Sequence, residues 1–330
     1  MAIALGTDVM TAVTSPNYGK GQYTLPEDTI DLGAGQETLR SWLDGFLENP
    51  NVVLPRPPAV ALEVLALSRK PTARIEDIAS LLEREPLLAG RVLKLANSAL
   101  YGAGVPCVTL KQALIRMGLA IVRDVVMEAA MQMTVIHADG VNHTLESIRR
   151  HSTAVAWISR FVARNTPLEA ENAFLLGLLH DVGLSIATVA VAQYLREQKR
   201  PVVLTPAHWL LIESVHEQFS GRVLQSWGLP PALTLVATNH HSLKVGGMPH
   251  PQIAVLLVAE QIAFDAGWGV HAVVESGPDH MALVSARETS DMDTTDFALT
   301  ALSLTRKHFQ MVQADTRRVL ETLASQFKAK

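Results

Sequence analysis

One stretch constrains this chain more than any other: Phe174-Leu175-Leu176-Gly177-Leu178-Leu179-His180-Asp181-Val182-Gly183. Leu175, Leu178, Leu179, Val182 and Ile186 recur at helical spacing, which predicts one buried helix running through the doublet. It delivers a histidine and an aspartate, side by side, from an apolar core. Desolvating either group without a partner is costly. The partners available to such a pair are each other, further charged groups, or a metal. The rest of the chain must supply them.

Around this stretch the sequence reads as helix after helix. Hydrophobic residues make up 48% of the chain and aromatics only 5%, so the core is drawn from Leu, Val and Ala, which suits helices. A chain of 330 residues can bury a full core and divide into two subdomains with tails. Residues 1–37 are rich in Gly, Thr, Asp and Pro and form an extension without sustained period. A short helix near Glu37 carries Leu39, Trp42, Leu43 and Phe46 on one face, and Leu54-Pro55-Arg56-Pro57-Pro58 enforces an extended lead-in to the next. Residues 38–140 form one helical series, closed by the polar break His137-Ala138-Asp139-Gly140. Residues 141–266 form a second series, which contains the doublet. Residues 267–330 are a linker and a last helix with Phe309, Val312, Val319, Leu320, Leu323 and Phe327 on one face. The polar run 273–292 reads as a loop. No strand and no repeat is expected, and the fold class is all-α. Arg116 and Arg123, seven apart on one face, read as a solvated helix surface.

Several function classes fall away. A formal charge of -4 and a pI near 6.3 argue against a broad nucleic-acid surface. Cys107 is the only cysteine, which excludes an intrachain disulfide and points to a cytoplasmic address. No secretory signal is visible at Met1 to Met10. The longest apolar runs are broken by Pro, Gly, His or charge, so no membrane span is expected.

The candidate ligands are His151, His180, Asp181, His216, His240, His241 and Glu260, on five separate segments. Imidazole with carboxylate suits Fe, Mn, Zn or Mg-type ions, one or two of them. An aspartate can bridge two ions, a recurring device in phosphoester hydrolysis. Adjacent helical residues point about 100° apart, so His240 and His241 either reach different ions or only one of them reaches the site. His137, His143, His208, His250, His271, His280 and His308 read as ordinary core or surface histidines.

At these residues the chain resembles the HD superfamily of metal-dependent phosphohydrolases, with His151, the His180-Asp181 doublet, and Glu260 where that superfamily has aspartate. More specifically it resembles the HDOD family, HD-related output domains of bacterial signalling proteins. The match runs through Leu54-Pro55, Pro58-Ala59-Val60, Leu95-Ala96-Asn97-Ser98-Ala99-Leu100-Tyr101-Gly102, Lys111-Gln112-Ala113-Leu114, Met117-Gly118, His216, Trp227-Gly228-Leu229-Pro230 and His240-His241. Coverage is about Gln36 to Gly267. The resemblance implies a two-part all-α domain acting as a signalling or protein-interaction module, with unidentified signalling proteins as partners and room for a homo-oligomer. The chain departs from the cyclic-dinucleotide branch, HD-GYP. Leu184 stands where that branch has lysine, Ser242 follows the histidine pair, and Gly247-Met248-Pro249 lacks the tyrosine. A missing lysine removes a positive charge that phosphate chemistry uses. Two functions follow: a non-enzymatic signalling module with a metal-binding cavity, which the departures favour, and a metal-dependent phosphohydrolase acting on a nucleotide or cyclic dinucleotide.

Overall fold

The structure is a computed structural model. It describes residues 34–49, 52, 54–98, 101–102, 104–134, 136–166, 172–277, 280–285 and 292–328. The extension 1–37 lies almost wholly outside them. The chain divides into two units at Thr38–Leu39, and the second, from Leu39 onward, carries the helical domain.

Helices dominate, as expected: α1 (Ala34–Phe46), α2 (Ala59–Ser68), α3 (Ile75–Glu83), α4 (Pro86–Ala96), α5 (Leu110–Met117) and α6 (Leu119–Met133), then α7 (Asn142–Arg164), α8 (Ala173–Leu179), α9 (Val182–Glu197), α10 (Pro206–Ser226), α11 (Pro231–Thr238) and α12 (Pro251–Asp265), and last α13 (Met292–Ala301) and α14 (Arg306–Lys328). Helices α2 to α6 pack among themselves. Helices α7 to α12 form a second packed set, with α13 and α14 laid on α12 and α7, and α6 against α8 joins the sets. Leu39, Leu43 and Phe46 of α1 are buried. Phe46 stacks on Phe219 of α10, with ring centroids 6.3 Å apart. Pro55 to Pro58 stay outside any helix and α2 starts at Ala59, because each proline keeps the residue before it out of the helical region.

Local chemistry explains the boundaries. Thr109 and Gln112 close a capping box on α5, and Thr205 with His208 does the same for α10, so His208 has an ordinary structural task. The Asn97 side chain bridges the turn after α4. It accepts from the Cys107 amide at 2.7 Å and donates to the Cys107 and Leu93 carbonyls at 2.9 and 3.0 Å.

Four expectations are corrected. The loop expected over 273–292 is not one in its described first half, and residues 286–291 lie outside the described residues. That half belongs to a hairpin of β3 (His271–Gly277) and β4 (His280–Ser285), paired antiparallel with Ala272 opposite Val284. In the sequence, the Val273-Val274 and Leu283-Val284 runs on either side of Gly277-Pro278-Asp279 are the strand signal that the polar composition obscured. A much shorter hairpin joins β1 (Lys244–Val245) to β2 (Met248–Pro249). Helix α13 falls in what read as a linker. The solvated face of Arg116 and Arg123 is not solvated at Arg123, which is 1% exposed and bonded to Asp124. Arg116 donates to the Ala96 carbonyl at 3.1 Å. Finally, the helix through the doublet is interrupted, since His180 ends α8 and Asp181 starts α9. Ala173–Glu197 is long and apolar enough to cross a membrane, but 94% of its most apolar 18-residue stretch is buried inside the fold.

Candidate metal centre

The break between α8 and α9 gives the doublet its geometry. In a continuous helix two adjacent side chains diverge. Here His180 is a C-cap and Asp181 an N-cap with no capping bond to its own helix, so both side chains turn into the same space. Glycines set the walls. A Cβ on Gly183 would lie 2.0 Å from the His216 carbonyl oxygen, and one on Gly177 would lie 2.7 Å from the Ala156 Cα. The first contact presses α9 onto α10 at His216; the second presses α8 onto α7 near His151. Ser220 completes the α9–α10 contact, accepting from the Gly183 amide at 2.9 Å and donating to the His180 carbonyl at 2.5 Å.

The structure brings all seven candidate ligands together. Asp181 sits between the histidines. Its Oδ2 is 3.2 Å from His180 Nε2 and 3.7 Å from His151 Nε2. Its Oδ1 is 3.2 Å from His240 Nε2 and 3.6 Å from His216 Nε2. Glu260 Oε1 is 3.2 Å from His180 Nε2. His241 Nε2 is 3.1 Å from His216 Nε2. Three overlapping groups have ligand atoms within 4.8 Å of one another: His216, His240 and His241; His151, His180 and Asp181; His180, His240 and Glu260. His240 and His241 do not close α11, which stops at Thr238. Both lie in the turn after it, so both rings face the centre.

The ring orientation shows what the centre accepts. Nδ1 of His151 faces the Trp268 carbonyl at 2.8 Å, that of His180 the Gly177 carbonyl at 2.9 Å, and that of His240 the Ala237 carbonyl at 2.9 Å. His216 Nδ1 does the same with the Glu213 carbonyl. A carbonyl only accepts, so each Nδ1 carries the proton and each neutral ring aims an Nε2 lone pair inward. Second partners of this kind fix the tautomer of metal-ligating histidines. The result is a knot of acceptors facing acceptors. His216 and His240 present their Nε2 atoms to each other at 3.2 Å. His180 Nε2 and Asp181 Oδ1 are buried without a hydrogen bond. Such a set needs a cation, and its donors fit a transition metal.

Without a metal, protons take that place. Burial pulls His180 down, but Asp181 and Glu260 overcome it and push the ring up to about 10. Burial likewise opposes ionisation of Glu260, yet His180 holds its carboxyl down at about 2. Asp181 is held well below its usual range by His180 and His240 against its own burial. His241, half-buried beside His240, drops to about 3 through its desolvation and the neighbouring His240 charge.

A cavity of about 700 Å³ opens over the centre, lined by His151, Asp181, His216, His241 and Glu260 together with Glu213, Glu217, Leu184 and Phe264. Glu217 was not anticipated. It accepts from the His241 amide at 3.0 Å and lies 3.7 Å from His240 Nδ1; its place directly after His216 was the available signal. Arg149 and Arg150, the nearest basic residues to His151 in sequence, point elsewhere. Arg149 pairs with Glu146 and lies 5.0 Å from the Phe327 ring; Arg150 lies 5.1 Å from the Trp268 ring.

Comparison with known proteins places the fold. The HDOD domain profile matches residues 54–243. The chain belongs to the HDOD family. HDOD architecture also appears in solved structures that it resembles. An HDOD domain protein of unknown function from Geobacter sulfurreducens superimposes with a TM-score of 0.59 at 20% identity, covering 88% of this chain and 97% of that one. A provisionally named metal-dependent phosphohydrolase from Shewanella amazonensis SB2B gives 0.60 at 19% identity, covering 85% and 98%. A provisionally named signal transduction protein from Marinobacter aquaeolei VT8 gives 0.58 at 19%, covering 90% and 66%. At these identities the likeness is one of fold. A curated relative, an uncharacterized protein of Treponema pallidum, is 22% identical over 195 residues, which is 58% of this chain but only 38% of the relative's length.

Proposed function

We propose that this HDOD protein is a metal-binding signalling module that acts through contacts with partner proteins rather than by phosphoester hydrolysis. One observation carries the reading. The described residues lining the cavity over the His/Asp centre include four carboxylates, Asp181, Glu213, Glu217 and Glu260, and no lysine or arginine. A phosphohydrolase must hold the phosphate's negative charge beside its ions, and here the protein adds negative charge instead. Leu184 occupies the lysine position of the cyclic-dinucleotide branch and is buried at 3% exposure.

His151, His180, Asp181, His216, His240, His241 and Glu260 would hold one or two divalent ions of the Fe, Mn, Zn or Mg type. A bound divalent ion would supply Lewis acidity and would join α7, the α8–α9 junction, α10, the turn after α11 and α12. That makes it a clasp on the domain's shape, which is what a partner reads. The ligand set itself favours a second reading, a metal-dependent phosphohydrolase on a nucleotide or cyclic dinucleotide, because Asp181 lies between two histidine groups as a bridging carboxylate does.

Metal analysis of the purified protein, followed by assays of the Mn- and Fe-loaded forms on cyclic dinucleotides and an activated phosphodiester, separates the two. The module reading expects bound metal with negligible turnover. Hydrolysis that disappears in a folded Asp181→Ala variant overturns it in favour of the second.

A further inference from the structure

A second cavity, of about 350 Å³, lies between the C-terminal part of α6, α7 and the α8–α9 junction. Asp181 lines this cavity as well as the larger one. Its walls include Met131, Ile136, Leu145 and Ile148, and its polar groups include Glu128 and Gln132. Nothing in the metal centre uses Glu128.

The Glu128 carboxyl is set among packed side chains with two protein donors, both distant. Oε2 accepts from Trp157 Nε1 at 3.3 Å and Oε1 from Gln132 Nε2 at 3.3 Å, against about 2.9 Å for an ordinary bond. Each oxygen keeps a lone pair for a ligand. No ion pair reaches Glu128 among the described residues. Arg149 in the same wall is taken by Glu146, and Arg91 acts only at longer range. Burial raises the Glu128 carboxyl to about 7, the mark of a carboxylate without its cation. A flat fork of two N–H donors meets a carboxylate through two parallel bonds, and the aliphatic walls suit the apolar body behind such a fork.

We propose that this cavity is an effector site for a small flat organic cation, an amidinium or guanidinium on an apolar body, held at Glu128 and communicating with the metal centre through Asp181. Binding at Glu128 stands without the metal reading; only the communication rests on it. A ligand filling this cavity presses on the wall that Asp181 shares with the ions, so it changes metal affinity, and metal changes ligand affinity by the same factor.

Benzamidine, titrated calorimetrically into the full-length protein, is the probe. Binding is expected in roughly the millimolar range, as befits so few atoms. It should weaken by about tenfold in Glu128→Gln, which keeps the shape but loses the charge. Neutral benzamide should not bind measurably. Leu145→Trp, which fills the cavity from its apolar side, should also abolish binding, and circular dichroism shows that both variants fold. Equal benzamidine affinity in wild type and Glu128→Gln, equal affinity for benzamide, or no benzamidine binding at all overturns the site. Metal affinity unchanged by saturating benzamidine in wild type overturns the communication. If the protein binds no metal, benzamidine binding at Glu128 should remain, which distinguishes failure of the metal reading from failure of this site.

Discussion

Two buried polar clusters each draw one side chain from α7, Arg160 and His151, and they solve the same problem differently. At one, Arg123 and Arg160 converge on Asp124. Arg123 donates twice to Oδ1, at 3.0 and 2.9 Å, and Arg160 donates to Oδ2. Each oxygen of that carboxylate has a donor, although the Arg160 Nε–H is left without an acceptor. At the other, Asp181 Oδ1 and His180 Nε2 have no hydrogen bond despite groups at 3.2 Å. The first cluster closes on itself and holds α6 to α7. The second is closed only when something positive enters. Buried polarity marks function where the protein leaves it incomplete. The side-chain types agree: an arginine cannot release its proton within a protein, whereas a histidine can, so only the second cluster can exchange protons for a metal.

The largest expected effect breaks the closed cluster. Asp124→Ala strands two guanidiniums and should cost about 3–5 kcal/mol in urea denaturation, with the same loss whether chelator is present or not. A chelator-dependent loss would mean the two clusters are one. Next comes the open cluster. Saturating metal at about a thousandfold its Kd should stabilise wild type by about 4 kcal/mol. Asp181→Ala should lose that increment while costing only about 1–2 kcal/mol in chelator, because the orphaned imidazoles can shed their protons. A large chelator-insensitive loss would make Asp181 a structural partner of His180, like Asp124 to Arg123.

A smaller effect comes from Glu128, which lies on α6 close to the Arg123–Asp124 pair in sequence but has no ion pair among the described residues. Its carboxyl is raised from 4.5 to about 7, by burial against the Trp157 bond and Arg91. The folded state therefore holds a proton that the unfolded chain releases. The stability this confers is complete below about pH 4.5 and is lost as pH rises towards 7. The change should be on the order of 2–3 kcal/mol, and Glu128→Gln should flatten this part of the denaturation-against-pH curve. A wild-type curve without that slope would show the carboxyl to be solvated. Smallest is the cover over Arg149 and Arg150. Phe327→Ala should cost about 0.5–1 kcal/mol of stability and leave metal content unchanged; a drop in metal content would tie α14 to the centre.

The sequence revealed the open cluster better than the closed one. His180-Asp181 announced itself by lying in an apolar run, and the remaining histidines and Glu260 followed from motif order. Arg123-Asp124 lies in an equally apolar run, Val122 to Met127, but a seven-residue spacing to Arg116 suggested a wet face. Adjacency to an aspartate was the better signal, since i and i+1 side chains can pair when both are buried against a neighbouring helix. The break at the doublet was not legible. Helical periodicity passes through it unchanged, because the residues on both sides face one core. The hairpin of β3 and β4 was missed for the opposite reason, its apolar alternation being short and surrounded by turn residues. The Nδ1 contacts that orient the rings are made to backbone carbonyls, which have no signature in sequence at all.

The contact at Gly183 has a consequence for how such a centre can vary. Backbone lies on backbone there, with the His216 carbonyl where a Cβ would be. That spacing has no adjustable part. Exchanging one side chain for another elsewhere on α9 or α10 cannot bring the two helices nearer, and any side chain at 183 drives them apart and carries His216 off Asp181. The gauge between these two ligands is therefore a constant of the scaffold. Chains built on it can change ion preference only at the ends of side chains, as Glu260 does by reaching with one more methylene than an aspartate. Selectivity is tuned at the fingertips of a hand whose knuckles are fixed.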